Sequence, residues 1–253
     1  MPKGAPRLAF RCWPRAARGA RQMLRVLLAS MLCAAPSLAD VITGARYAAP
    51  TDRYAHGILG DAIEWGALEL TLDSGQTVTF TLPQDHVFED VAPRLADLDQ
   101  DGHPEVVVVE TDTSRGGALA IYGTKGKITE TPHIGTRNRW LAPLGAADLD
   151  GDGTVELAYI DRPHLAKTLR LWRYDDQKLT PVADLPGLTN HRIGERDIAG
   201  GIRLCDGAPE MILASANWSE LRGVRWDGRR FTTERLGSNT SRAAFANAMA
   251  CAE

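Results

Sequence analysis

Along the chain, short apolar runs alternate with polar turns in an order that returns about every fifty residues. The densest runs, residues 106–109, 157–160 and 211–214, are unbroken and of strand length, the pattern of a buried strand. A second strand is expected after each, at 118–122, 169–174 and 223–226. Turn residues then intervene (Gly123-Thr124-Lys125-Gly126, Asp175-Asp176-Gln177, Asp227-Gly228), and a third strand follows at 128–133, 179–184 and 231–236. Asp227-Gly228, between Trp226 and Arg229, reads as a two-residue hairpin turn. Residues 64–72 and 76–82, joined by Asp73-Ser74-Gly75, make a similar hairpin. Helical patterning is confined to the N-terminal leader and an Ala-rich tail at 243–252.

What precedes each buried strand also repeats. Leu95-Ala96-Asp97-Leu98-Asp99-Gln100-Asp101-Gly102-His103-Pro104-Glu105 is matched by Ala146-Ala147-Asp148-Leu149-Asp150-Gly151-Asp152-Gly153-Thr154-Val155-Glu156. Their first aspartates, Asp97 and Asp148, stand 51 residues apart. Asp206-Gly207-Ala208-Pro209-Glu210 repeats the ending of the first loop, but Ile202 and Leu204 stand where its first two aspartates should be. The repeat predicts an all-β chain, a β-propeller-like array of about four small antiparallel sheets, with units near 40–90, 91–141, 142–190 and 191–236 and a C-terminal tail. Radial repetition of this kind shields sheet edges that would otherwise pair with other chains. An open array, or closure through a second chain, satisfies the same pattern.

Charge and the N-terminus change the picture further. Residues 1–39 hold no acid and seven bases, Lys3, Arg7, Arg11, Arg15, Arg18, Arg21 and Arg25. An apolar run from Val26 to Ala35 follows, then Pro36-Ser37-Leu38-Ala39. This is the layout of a bacterial secretory signal peptide cleaved between Ala39 and Asp40, with Met23 an alternative start. The competing reading, a retained membrane anchor, needs a longer apolar stretch. Leu32 before Cys33 speaks against lipidation. Of 29 basic residues the leader takes seven, leaving 22 against 32 acids, a net charge of −10 for a periplasmic or secreted body. Such a body suits cations and repels nucleic acid, and it contains no membrane span. Cys205 and Cys251 are then the only thiols, and in an oxidising compartment they are expected to pair as a disulfide; two free cysteines are the alternative.

Alternate carboxylates in a tight loop converge on one centre, and a hard, all-oxygen donor set selects Ca²⁺ over Zn²⁺. The expected ligands are Asp97, Asp99, Asp101, the carbonyl of His103 and Glu105 in the first loop. In the second they are Asp148, Asp150, Asp152, the carbonyl of Thr154 and Glu156, giving two sites. The closing acid comes four residues after the third aspartate, too early for an EF-hand, and a strand follows where an EF-hand needs a helix. Acidic surface turns without metal are the plainer alternative. The third copy should be metal-free, with Cys205 beside it. The stretch Leu144-Gly145-Ala146-Ala147-Asp148-Leu149-Asp150-Gly151-Asp152-Gly153 resembles the FG-GAP/VCBS repeat of integrin α-chain propellers and bacterial surface proteins. The resemblance covers roughly residues 85–236 and implies calcium-stapled blades and a role in adhesion or binding.

Two polar, Gly-rich segments look alike outside the loops. One contains His56, Gly57, Gly60 and Asp61; the other His191, Gly194, Glu195 and Asp197, running on to Arg203. His with a nearby carboxylate can do acid/base work, so His56, Asp61, His191, Glu195 and Arg203 are candidate catalytic residues; a structural turn with a backbone-bonded His is the plainer reading. No Gly-x-Ser-x-Gly, His-Glu-x-x-His or Cys-x-x-Cys motif is present. The expected function is an exported calcium-binding repeat protein acting as a binding module for another protein or a cell-surface glycan. The alternative is a periplasmic hydrolase of carbohydrates or phosphoesters with a His/carboxylate site.

Overall fold

A computed structural model describes residues 40–252. The expected signal peptide with its expected cleavage after Ala39, and Cys12 and Cys33, lie outside the described residues. The strands, in chain order, are β1 (Ile42–Thr51), β2 (Glu64–Leu72), β3 (Thr77–Thr81), β4 (His86–Phe88), β5 (Arg94–Ala96), β6 (Glu105–Asp112), β7 (Gly116–Gly123) and β8 (Gly126–Glu130). They continue with β9 (Leu141–Ala147), β10 (Glu156–Asp161), β11 (Thr168–Asp175), β12 (Lys178–Pro186), β13 (Leu188–Thr189), β14 (Gly201–Arg203), β15 (Glu210–Ser215), β16 (Leu221–Trp226) and β17 (Phe231–Gly237). One helix, α1 (Arg242–Met249), follows. The all-β class and the expected buried strands are present, as β6, β10 and β15.

All strand pairs are antiparallel and fall into three sheets. The second sheet is the plain meander β9-β10-β11-β12. In the third, β13 and β14 lie end to end along β15, then β16 and β17 follow. The first sheet contains the same pattern, with β4 and β5 end to end along β6, then β7 and β8. It also takes in β1, β2 and β3, because Phe88 of β4 pairs with Trp65 of β2. The first two repeat units therefore share one eight-stranded sheet.

Each central strand is buried on both faces, which explains its unbroken apolar run. Val106 and Val108 of β6 pack with Leu68, Leu70 and Phe88, while Val107 and Val109 pack with Trp140 and with Leu157 and Tyr159 of the next unit. Ala158 and Ile160 of β10 face Met211, Leu213 and Trp226 in the same way. The far face of β15, Ile212 and Ala214, is covered by Phe245 and Ala248 of α1. Ser241 caps that helix by accepting from the Ala244 amide, as N-cap serines do.

Turn chemistry mostly follows expectation. Asp176 and Gln177 both take left-handed φ, 47° and 58°, the two-residue turn that matches the twist of β11 and β12. The Asp227-Gly228 turn differs: Trp226 pairs with Phe231, so four residues lie between the strands rather than two. The Asp227 carboxylate accepts from the amides of Arg229 (2.9 Å) and Arg230 (2.8 Å), holding the wider turn. Cys205 and Cys251 are bridged, their Cα atoms 5.5 Å apart, tying the end of α1 to the loop between β14 and β15.

Candidate functional site

The acid loops begin at the ends of β5 and β9 and run into β6 and β10. Their backbones use the aspartates in the same order. Gly102 N–H donates to Asp97 Oδ2 (3.0 Å), Asp101 N–H to Asp99 Oδ1 (3.2 Å) and His103 N–H to Asp101 Oδ1 (2.7 Å). In the second loop Gly153 N–H donates to Asp148 Oδ2 (3.0 Å), Asp152 N–H to Asp150 Oδ1 (3.2 Å) and Thr154 N–H to Asp152 Oδ1 (2.9 Å). The closing acids bond back across the loop: Glu105 Oε2 accepts from Leu98 N–H and Glu156 Oε2 from Leu149 N–H, each at 3.0 Å. Gly102 and Gly153 turn the chain at φ 88° and 89°, a conformation that a side chain would strain.

Asp148 also accepts from Gly151 N–H through Oδ1 (2.8 Å), and the bonds together leave the carboxylates gathered. Donor oxygens of Asp97, Asp99 and Asp101 lie within 4.8 Å of one another, as do those of Asp148, Asp150 and Glu156. The donor set is oxygen throughout, which fits a hard divalent cation. Glu105 and Asp152 stand outside the two tightest groups. Burial raises the pKa of Glu105, and the neighbouring Asp99 and Asp101 raise it further. Burial also raises Glu156, against the opposing pull of Arg173. In the third copy the remaining acids, Asp206 and Glu210, are bound by Arg225 and Arg203.

A second candidate lies at the other end of the buried strands. Loops before β2, before β9, after β10 and between β13 and β14 border an open cavity of about 250 Å³ lined by His56, Ile58, Trp140, Arg162, His164 and Ile193, among others. His56 Nδ1 faces Glu89 Oε1, and the fully buried Glu89 accepts a second bond from the Thr111 hydroxyl (2.7 Å). Burial raises the Glu89 pKa, opposed by its bond to His56. The Trp140 indole donates to the Glu89 carbonyl (2.7 Å), and its ring meets His191 edge-on at 5.0 Å. His191 Nδ1 lies 3.1 Å from His164 Nε2, and its Nε2 lies 2.8 Å from the Glu195 carbonyl. Burial lowers the pKa of both rings, that of His164 to about 4, so this pair is neutral at pH 7.

The sequence candidates are thus only partly gathered. His56 lines the cavity and His191 stands behind it, bonded to backbone. Asp61 lies in a neighbouring hollow with Glu64 and Arg196. The Glu195 carboxylate pairs with Arg192 and Arg242. Arg203 is far from the cavity group, held between Glu210 and the Ala248 carbonyl of α1. Glu89, Thr111, Trp140 and His164 were not singled out by sequence. One signal could have found two of them: Glu89, Trp140 and His191 follow one another at the 51-residue repeat spacing.

Fold and loops together define an all-β repeat protein with two acid loops in one register. An FG-GAP-like repeat matches residues 97–159, the stretch holding both loops. Among solved structures, the crystal structure of the V. cholerae biofilm matrix protein Bap1 is similar over 70% of this chain, at 16% identity and a TM-score of 0.26. The chain spans about a third of that protein, 32% of its length. No curated protein matches the sequence. No helix among the described residues is long and apolar enough to cross a membrane.

Proposed function

We propose that the chain is an exported binding module whose repeat units are held by calcium at the two acid loops, and whose partner is another protein or a cell-surface glycan. The observation that carries this reading is the pair of loops with matching hydrogen bonds and converging carboxylates inside the stretch matched by the FG-GAP-like repeat. Asp97, Asp99, Asp101 and Glu105 would hold one ion, with Asp148, Asp150, Asp152 and Glu156 holding the other, and the carbonyls of His103 and Thr154 completing the sets. Calcium would supply positive charge between carboxylates that otherwise repel, and no chemistry beyond that. Each loop lies against the following unit: the Asp150 carboxylate is about 3.1 Å from where a Cβ on Gly228 would sit, and Gln177 lines the hollow beside the first loop. An ion there stiffens the array rather than a single sheet.

Thermal unfolding with calcium and with chelator tests the metal. A higher midpoint in calcium is expected, and equal midpoints would remove calcium from the account. Calorimetric titration with defined oligosaccharides tests the glycan arm.

The His56–Glu89 pair favours a second reading, a hydrolase. A carboxylate on Nδ1 leaves the other ring nitrogen to accept a proton from water, and the buried Glu89 fixes the ring. Chromogenic glycosides and phosphoesters would reveal it. Turnover that disappears in His56→Ala supports it, and turnover that survives rejects it.

A further inference from the structure

The two intact loops match in sequence but not in what the neighbouring strand sets beside them. In the β10–β11 pair, Glu156 lies opposite Arg173. In β6–β7 the last pair is Val106 with Tyr122, so one step further sets Gly123 beside Glu105. In β15–β16, Met211 pairs with Val224, and the next step sets Arg225 beside Glu210. Three equivalent positions therefore hold Gly, Arg and Arg.

The guanidinium of Arg173 sits among the acids that would hold the second ion. Its Nη2 is 2.9 Å from Asp150 Oδ2 and 2.5 Å from Glu156 Oε1, and its Nη1 is 2.9 Å from Asp152 Oδ2. One side chain thus meets three of the loop's carboxylates, Glu156 also receiving its Nε at 2.8 Å. The third loop completes the trend. Arg225 binds Asp206 (3.1 Å) and Glu210 (3.2 Å), and Arg203 takes the other Glu210 oxygen at 2.5 Å. There two arginines replace everything a metal would do, with the first two aspartates gone.

Among the described residues, no arginine or lysine pairs with the acids of the first loop. Gly123 lines a hollow of about 520 Å³ together with Asp99, Asp101, His103 and Glu105. Lys127 and Lys125 also line it, but Lys127 is tied to Glu110 (2.9 Å) and Glu130 (2.7 Å). The His103 ring stands 3.8 Å from Asp101. The loop has space where the second has a cation.

We propose that Arg173 is a built-in counter-cation, so that the chain carries one strong calcium site, at Asp97–Asp99–Asp101, and one weak site that calcium must open by displacing Arg173. The proposal rests on the calcium reading of the loops. A guanidinium and a calcium ion compete for the same carboxylates, and like charges at that distance repel strongly where solvent is partly excluded. Calcium entering the second loop meets only Asp148 free of Arg173 and must compete with the guanidinium for Asp150, Asp152 and Glu156. The arrangement also makes the second loop stable without metal, since three acids there already have a partner.

Calcium titration of the full chain by calorimetry tests this. Wild type should bind in two steps whose dissociation constants differ by about tenfold or more. Asp99→Asn should remove the strong step and Asp150→Asn the weak one. Arg173→Ala should tighten the weak step by about tenfold. It should also unfold earlier than wild type in chelator and regain stability in calcium. Gly123→Arg carries the guanidinium to the first loop, where a new Cβ meets only the movable end of Ile128 at 3.1 Å, and should weaken the strong step. Two equal steps in wild type, or an Arg173→Ala weak step that does not tighten, would overturn the proposal and leave the calcium reading standing. No binding in wild type or in Arg173→Ala would overturn both.

Discussion

Glu64 opens β2 with its carboxyl buried, 3% exposed, near two other acids. Burial first, then Glu89 and Asp61, push its pKa from 4.5 up to about 9. An acid shifted this way keeps its proton in the native state where the unfolded chain has lost it. Unfolding then releases a proton, and stability falls as pH rises from about 4.5 to about 9. Glu64→Gln holds a neutral amide at the same place, so it should flatten that slope. At pH near 9 the gain should exceed about 1.4 kcal/mol, the worth of one pKa unit. Urea unfolding at a series of pH values reads it, and an unchanged slope would mean that Glu64 is ionised in the fold. Single residues were the level at which the sequence said least. Glu89, Trp140 and His191 are chemically unrelated, so their equal spacing is the one signal that links them, and it names no chemistry. A repeat marks positions as equivalent, but only the stacking of units makes equivalent positions touch.

At the level of elements the sequence was far more legible, because the middle of a strand buried on both faces is an unbroken apolar run, with polar residues only towards its ends. The runs in β6, β10 and β15 needed no other information. β1 escaped notice because most of its positions are only partly buried, so Arg46 and Thr43 interrupt the pattern. The division of β13 from β14 was equally hidden: the chain leaves β15 after Thr189 to build the cavity wall and returns at Gly201. That return is tight. A Cβ on Gly200, at φ 80°, would stand 2.0 Å from the Ile212 carbonyl, so Gly200→Ala should prevent β14 from pairing. The disulfide was expected from two cysteines alone, and its place gives it an effect that can be measured. It closes a loop with a sequence separation of 46 and holds α1 over Ile212 and Ala214. In the chain-entropy account such a closure contributes roughly 3–4 kcal/mol. The double variant Cys205→Ser, Cys251→Ser should lose a comparable amount in denaturant titration, and protease should then reach the tail first. A variant as stable and as resistant as wild type would show that α1 is held by packing alone.

Across the whole described body, each unit's central strand is packed by the next unit, and the series ends on a helix. Stability in such an array is close to a sum of units and interfaces, so a cation at one loop acts on one interface. The first loop lies beside the β11–β12 hairpin: burial first, and then the nearby Glu105, Asp99 and Asp101, raise the Tyr174 pKa, and Gln177 lines the same hollow. The second and third loops have arginines in place, so removing calcium should leave them largely unmoved. At millimolar calcium and a dissociation constant near ~10⁻⁴ M, the first loop would add on the order of 1.4 kcal/mol. For a body of this size that is about 3–5 °C in midpoint. Hydrogen exchange can locate the loss. In chelator, amides of residues 97–105 and 174–177 should exchange faster, while those of 206–210 should keep their protection. Faster exchange spread evenly over all three loops would mean that the arginines do not stand in for the metal and that the units unfold as one block.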